Sequence, residues 1–388
     1  MKTIYLDHAA TTPVHPRVLE KMLPYFRDQY GNPSSVYRLG REAKKAVEDA
    51  REKVAQLIGA EPREIVFTSG GTEADNIALQ GVARANRDRG RHIITSAVEH
   101  HAVLHTAEAL EKEGFSVTYL PVDKYGRISI ADLEAAIGKD TILISIMYAN
   151  NEVGTVQPIR EIGRLAREHG IIFHTDAVQA VGYLPIDVNR DNIDLLTLSG
   201  HKLYGPKGIG ALYLRRGTRI APLMGGGAQE RKWRPGTENV PGIVGLGEAA
   251  VLAGENMEER AAKLRRLRDM LIDGVLERID HVRVNGHPEE RLPGNAHFAF
   301  EFIEGESLLL NLDLEGIAAS SGSACTSGSL EPSHVLLAMG MPHEIAHGSL
   351  RLTLGEDNTE EDIERVLEVL PPIVQKLRDM SPLYKKSL

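Results

Sequence analysis

Lys202 follows the apolar run Leu195-Leu196-Thr197-Leu198 and the small, polar step Ser199-Gly200-His201. Such a run reads as a buried strand, and in an open α/β sheet ligands bind beyond the ends of the strands. A lysine placed there is desolvated, which lowers the pKa of its amine and makes it a usable nucleophile toward an aldehyde. Most lysines are solvated surface charges. Lys202 rises above that reading only because other stretches supply what an aldehyde cofactor needs, in particular pyridoxal phosphate (PLP) held as a Schiff base.

The first stretch is Ile65-Val66-Phe67-Thr68-Ser69-Gly70-Gly71-Thr72-Glu73, a strand that passes through glycines into a helix. Glycines let a phosphate approach the backbone, and a helix start offers N–H groups and the positive end of the dipole. A tight turn with Thr72 as N-cap fits the same residues. Next, Phe173-His174-Thr175-Asp176-Ala177-Val178-Gln179 puts a carboxylate just past a strand. An anion there keeps a pyridine nitrogen protonated and the ring an electron sink, although Asp176 also suits a helix N-cap. Gln179 and Asn151 could hydrogen-bond the phenolic oxygen of the ring.

Val98-Glu99-His100-His101-Ala102 follows another strand, so one of these histidines could lie over a cofactor ring and shuttle protons near neutral pH. His101 and His105 share a helix face at metal-ligand spacing, but no carboxylate or cysteine completes a zinc signature, and no metal site is expected. Cys325 is the single cysteine. Its setting, Ser320-Ser321-Gly322-Ser323-Ala324-Cys325-Thr326-Ser327-Gly328-Ser329, makes a poor core and a good mobile loop. A mobile thiol suits collecting something at one place and delivering it at another.

These residues need a scaffold. Strand-like runs at 64–68, 92–95, 116–121, 141–148, 171–174, 195–198 and 209–214 alternate with helical patterns at 41–58, 73–87, 102–112 and 159–168. That alternation predicts an α/β domain, a mostly parallel sheet covered on both faces by helices. We place it at residues 14–258. After a long charged helix from Met257 to Arg278 the pattern mixes strands and helices, predicting a smaller α+β domain over 259–388, joined by the N-terminal segment 1–13. A net charge of −9 argues against a nucleic-acid footprint, and one cysteine fits a reducing compartment. With no signal-peptide core and no spanning apolar run, a cytoplasmic protein without membrane contact is expected.

Taken together, Ser-Gly-His-Lys202, Asp176 with Gln179, the Gly-Gly-Thr-Glu turn and Ser-Gly-Ser-Ala-Cys325-Thr-Ser-Gly resemble the PLP-dependent cysteine desulfurases of the NifS/IscS type. The likeness runs from Tyr5-Leu6-Asp7 to Arg351-Leu352-Thr353-Leu354-Gly355. It implies the aspartate-aminotransferase fold (PLP fold type I) and removal of sulfur from L-cysteine to give L-alanine and a persulfide. By that resemblance Lys202 binds PLP and moves the α-proton. Asp176 pairs with the pyridine nitrogen, and Gln179 and Asn151 contact the ring oxygen. Gly71, Thr72, Ser199 and His201 hold the phosphate, and Thr237 reaches it from the partner subunit of a homodimer. His100 stacks on the ring, Arg351 clamps the substrate carboxylate with Asn151 nearby, and Cys325 takes the sulfur for an acceptor protein such as an iron–sulfur scaffold or a thiolation protein. A selenocysteine lyase or aminotransferase would use the same Lys202 and Asp176; a non-catalytic sulfur-trafficking scaffold is the reading from outside enzymes.

Overall fold

The computed structural model describes residues 3–321 and 332–384. In chain order the first elements are β1 (Ile4–Tyr5), α1 (Pro16–Arg27), α2 (Arg38–Leu57), β2 (Ile65–Thr68), α3 (Gly71–Ala85), β3 (His92–Ser96), α4 (His101–Lys112) and β4 (Ser116–Leu120). Then come α5 (Ile130–Ala136), β5 (Thr141–Ser145), α6 (Ile159–Glu168), β6 (Ile172–Asp176), β7 (Leu195–Ser199), β8 (Gly210–Leu214), α7 (Val240–Gly254) and α8 (Met257–Arg278). The remainder is β9 (Val282–Val284), β10 (Asn295–Phe300), α9 (Gly305–Leu314), β11 (Ile317–Ala318), α10 (His334–Ala338), α11 (His343–Ala346), β12 (Ser349–Thr353) and α12 (Glu360–Met380).

Seven strands form the central sheet in the order β2-β8-β7-β6-β5-β3-β4. Only β8 runs against its neighbours; the other pairings are parallel. Every residue of β5, β6, β7 and β8 is buried. Crossover helices on both faces impose this, and it is why these strands read as apolar runs rather than as alternation. The architecture is the expected α/β one. Its parallel strands bring the C-terminal ends of β3, β5, β6 and β7 to one edge, where the residues singled out above follow them.

Three differences from the sequence reading have physical causes. The segment read as a strand over 141–148 is regular only to Ser145, although beyond it the Ile146 and Tyr148 N–H groups still donate to the His174 and Asp176 carbonyls of β6, at 3.1 and 2.8 Å. Helix α7 went unpredicted. It is apolar nearly all round and buried, so it has no polar face to create a 3.6-residue rhythm. Its glycines let α2 approach closely: a Cβ on Gly247 would lie 2.7 Å from Ala50 Cα. Strand β12 also went unassigned, its alternation hidden because both faces are buried.

A second apolar core gathers Leu6, Leu264, Leu271, Phe298, Leu350 and Leu370 around the three-stranded sheet β12-β10-β9. Leu6 belongs to it, and β1 pairs with β11. On this basis we propose the division into residues 14–258 and 259–388, with 1–13 attached to the latter. Among the described residues no helix is long and apolar enough to cross a membrane. The α2–α7 contact can be tested directly: Gly247→Val should lower stability by roughly 1–3 kcal/mol through overpacking, read as a lower urea midpoint at unchanged slope.

Candidate active site

A cavity of about 360 Å³ opens at the C-terminal edge of the sheet. It is lined by Gly71 and Thr72 from the first turn of α3, and by His100 ahead of α4. Asn151 lies beyond β5, Asp176 and Gln179 at the end of β6, and Ser199, His201 and Lys202 at the end of β7; Arg351 comes from β12. Ten of the twelve residues named from the sequence are thus brought together. The other two behave differently. Thr237 is exposed and is not among the lining residues. Cys325 lies outside the described residues, as does most of the loop expected to be mobile.

The amine of Lys202 donates to the backbone carbonyls of Ala9 and Ala10, the latter at 2.7 Å. Gln179 Nε2 donates to Ala9 as well, at 3.0 Å. Ala9 and Ala10 therefore belong to the site, and sequence reasoning missed them because a backbone carbonyl leaves no residue-type signal. Asp176 is the last residue of β6 rather than a residue beyond it. Its Oδ1 accepts from the Val178 N–H at 2.9 Å, a local turn bond of the kind the capping alternative foresaw, although no helix follows. Burial pushes the Asp176 carboxyl up to about 6, while the Val178 N–H and then the Lys202 charge hold it down in part.

Helix α3 begins at Gly71, with Gly70 as its cap, so Thr72 lies inside the first turn and is not the N-cap. The N–H groups of that turn have no intrahelical partner by geometry. A Cβ on Gly71 would sit 2.8 Å from Val178 Cγ2 and 3.8 Å from Ser199 Cβ, so glycine keeps this corner open. His201 Nδ1 meets the Thr11 hydroxyl at 3.1 Å.

His100 caps α4: its Nδ1 accepts from the Ala102 N–H at 3.1 Å, which leaves any ring proton on Nε2. Burial, then the charges of His101 and Lys202, bring its pKa down to about 4. Burial does the same for His201, again to about 4. Both rings are therefore neutral at physiological pH. Arg351 is buried, donating from Nη2 to Asp7 Oδ1 at 2.9 Å and from Nη1 to the Asn151 carbonyl at 2.8 Å, with its Nε unpartnered. His101 stands outside the cavity lining and packs on His105 and His334, with ring centroids 4.9 and 4.7 Å away.

A mostly parallel sheet with a lysine, a buried carboxylate and a glycine-opened helix at its edge defines a class-V aminotransferase, and that family's model matches residues 4–366. A cysteine desulfurase IscS of Methanosarcina thermophila is 63% identical over 385 residues, covering 99% of this chain and 95% of the relative. A solved NifS-like protein superposes with a TM-score of 0.91 at 40% identity, covering 97% of this chain and 100% of that one. Another structure, described as SspA in complex with cysteine, matches with a TM-score of 0.82 at 41% identity over 91% and 99% of the two chains. The chain belongs to the class-V aminotransferase family and, within it, to the cysteine desulfurases, which are PLP-dependent enzymes.

The neutral imidazoles give a measurable sign. In the unfolded chain His100 titrates near 6.5, and in the fold near 4. Its contribution is complete above the unfolded value and is lost as the pH falls through the folded one. The stability gap between wild type and His100→Gln should therefore narrow between about pH 6.5 and about pH 4. An imidazole NMR signal that disappears in His100→Gln should titrate near the lower value; titration near 6.5 would refute the assignment.

Proposed function

We propose that this cysteine desulfurase works on L-cysteine with PLP held by Lys202, and that Cys325 carries the sulfur away. The observation that supports it is the convergence of Lys202, Asp176, the first turn of α3 and Arg351 on one cavity. The donor set fits the cofactor. Lys202 supplies the amine, Asp176 an anion for the pyridine nitrogen, and Gly71, Thr72, Ser199 and His201 the donors for a phosphate at a helix start. Gln179 and Asn151 would bond the ring oxygen, and His100 would cover the ring. When bound, PLP withdraws electrons from the substrate carbons and so weakens the Cβ–S bond.

The remaining work falls to the protein. Arg351 holds the substrate carboxylate, its guanidinium fixed by Asp7 and the Asn151 carbonyl so that less freedom is lost on binding. Lys202, once displaced by the substrate amine, takes the α-proton on Nζ. Neutral His100, which lines the cavity, would move a proton through its Nε2. The Cys325 thiolate attacks the substrate sulfur: an S–S bond forms, the Cβ–S bond breaks with its electron pair left on Cβ, and protonation at Cβ together with return of a proton from Lys202 Nζ to Cα completes L-alanine. Support for Cys325 comes from its flanks. Ser320 exchanges backbone hydrogen bonds with Arg351 at 3.3 and 2.6 Å, and three residues separate Ser321 from Cys325. On the other side Ser333 Oγ bonds to Glu152, and His334 Nε2 lies 2.9 Å from the Glu99 carbonyl.

The acceptor would be a protein thiol or an iron–sulfur scaffold. A second copy of this chain would cover the exposed Leu19, Leu23, Phe26, Tyr30, Val36 and Tyr37 and bring Thr237 to the partner's phosphate site. The segment before Thr237 is tethered by a buried bidentate pair between Arg51 and Glu230, at 2.8 and 2.7 Å.

Purified protein given L-cysteine should form alanine and sulfane sulfur in equal amounts. Cys325→Ala should cut that turnover by roughly two orders of magnitude or more while leaving the visible PLP band. Unimpaired turnover in the variant would favour the lyase or aminotransferase chemistry on this site, in which the thiol takes no part. For Thr237, mixed dimers of Lys202→Ala and Thr237→Ala subunits decide. Action across the interface leaves one intact site and restores about half the wild-type rate, whereas action within a subunit restores none.

A further inference from the structure

Asp75 lies on α3 three residues after Thr72, so the two share a helix face and Asp75 points onto the same edge of the sheet. It is 1% exposed and lines the cavity. One oxygen of Asp75, one oxygen of Asp176 and a ring nitrogen of His100 all lie within 4.8 Å of one another. Asp75 Oδ1 has no hydrogen-bond partner among the described residues. The basic group nearest it, His174 Nε2 at 3.6 Å, is no counter-ion: burial takes that imidazole down to about 3. Both ring nitrogens of His174 are engaged with hydroxyls, Nδ1 with Ser145 at 2.8 Å and Nε2 with Thr197 at 3.1 Å.

Two carboxyls this close in a dry place cannot both ionise without a cation apiece. Among the described residues, the strands and the turn that carry these groups offer too little. β6 supplies Asp176 and neutral His174, β7 leads to the single charge of Lys202, and the β3–α4 turn supplies neutral His100 and the buried acid Glu99. Asp176 has a backbone N–H donor and the Lys202 charge; among the described residues Asp75 has the Thr197 hydroxyl.

We propose that Asp75 is a neutral carboxylic acid beside Asp176, leaving Asp176 as the one negative charge that the pair presents to the cavity. Asp75 is then a positioning residue. It makes Asp176 less basic, so that a proton on a ring nitrogen facing Asp176 stays on the ring. The role rests on the reading that Asp176 faces that nitrogen. Burial, then the neighbouring Asp176 charge, drives the Asp75 carboxyl well above the usual carboxylate range, with Glu99 pushing the same way.

The protonation state is tested on the protein without cofactor. The wild-type minus Asp75→Asn infrared difference spectrum at neutral pH should contain a carboxylic-acid carbonyl band, and a carboxylate band in its place would overturn the proposal. Should the variant not fold, the same band followed in Glu99→Gln protein should still be present at neutral pH, and its loss in the ordinary carboxylate range, near about pH 4, would refute it. Cofactor binding is a second readout. Because asparagine mimics a neutral acid, Asp75→Asn should bind PLP within about threefold of wild type, with the same pH profile of the visible band. A profile moved by about one unit or more would mean that an ionised Asp75 had been removed. Stoichiometric Zn²⁺ binding lost in Asp75→Asn would overturn the proposal too, since a metal would hold both carboxyls ionised. Asp176→Asn, measured alongside, separates the two readings. If it binds PLP as wild type does, the reading of Asp176 fails and takes the role of Asp75 with it, while the infrared result still reports the Asp75 proton.

Discussion

Two backbone carbonyls, those of Ala9 and Ala10, hold the amine of Lys202, and the geometry of the site depends on that hold. The strip that carries them is stitched on both sides. Thr12 bonds to the carbonyl of His201 and accepts from the Tyr204 N–H, at 3.0 and 2.8 Å. Ala9 N–H donates to Thr353 Oγ1 at 2.9 Å, and Asp7 pairs with Arg351. The N-terminal segment therefore fixes the lysine turn of the large sheet and the arginine strand of the small sheet relative to each other. A shift of that strip would move the amine and the guanidinium together.

The second constraint is dryness. Charges drawn out of water neutralise unless they find partners. His100 and His201 respond by staying neutral, and Asp176 by becoming harder to ionise. Arg351 is met by Asp7 and a backbone carbonyl. The cavity thus holds many ionisable side chains with few net charges, and a cofactor bearing phosphate and a protonated ring would meet dipoles and one or two ions rather than a strongly charged wall.

Much of the fold was legible in the sequence. The strands β6, β7 and β8 announced themselves as short apolar runs, and α2, α3, α4 and α6 as periodic ones. What failed to show was whatever has no contrast to read. Helix α7 is apolar on all sides, and α5 is a single short helix of seven residues. The candidate site was legible where side chains line the cavity, as at Lys202, Asp176 and Arg351. It was illegible where backbone carbonyls line it, at Ala9 and Ala10, and where an ordinary helical aspartate turns inward. Asp75 sits among Ala74, Asn76 and Ile77 with nothing in its neighbours to mark it as buried.

The sequence alone determined the classes of element, the order of the chemical groups along the chain and which groups follow a strand. Those are local properties, set by hydrophobic pattern and by the types of neighbouring residues. Tertiary structure decided which groups meet. Asp7 and Arg351 pair across 344 residues, and Lys202 meets Ala10 across 192. It also decided protonation, because the pKa of His100 or Asp176 depends on how much water the fold removes and which charges it leaves nearby. Neither desolvation nor distance is written in the order of residues; both arise only when distant strands end at the same edge of one sheet.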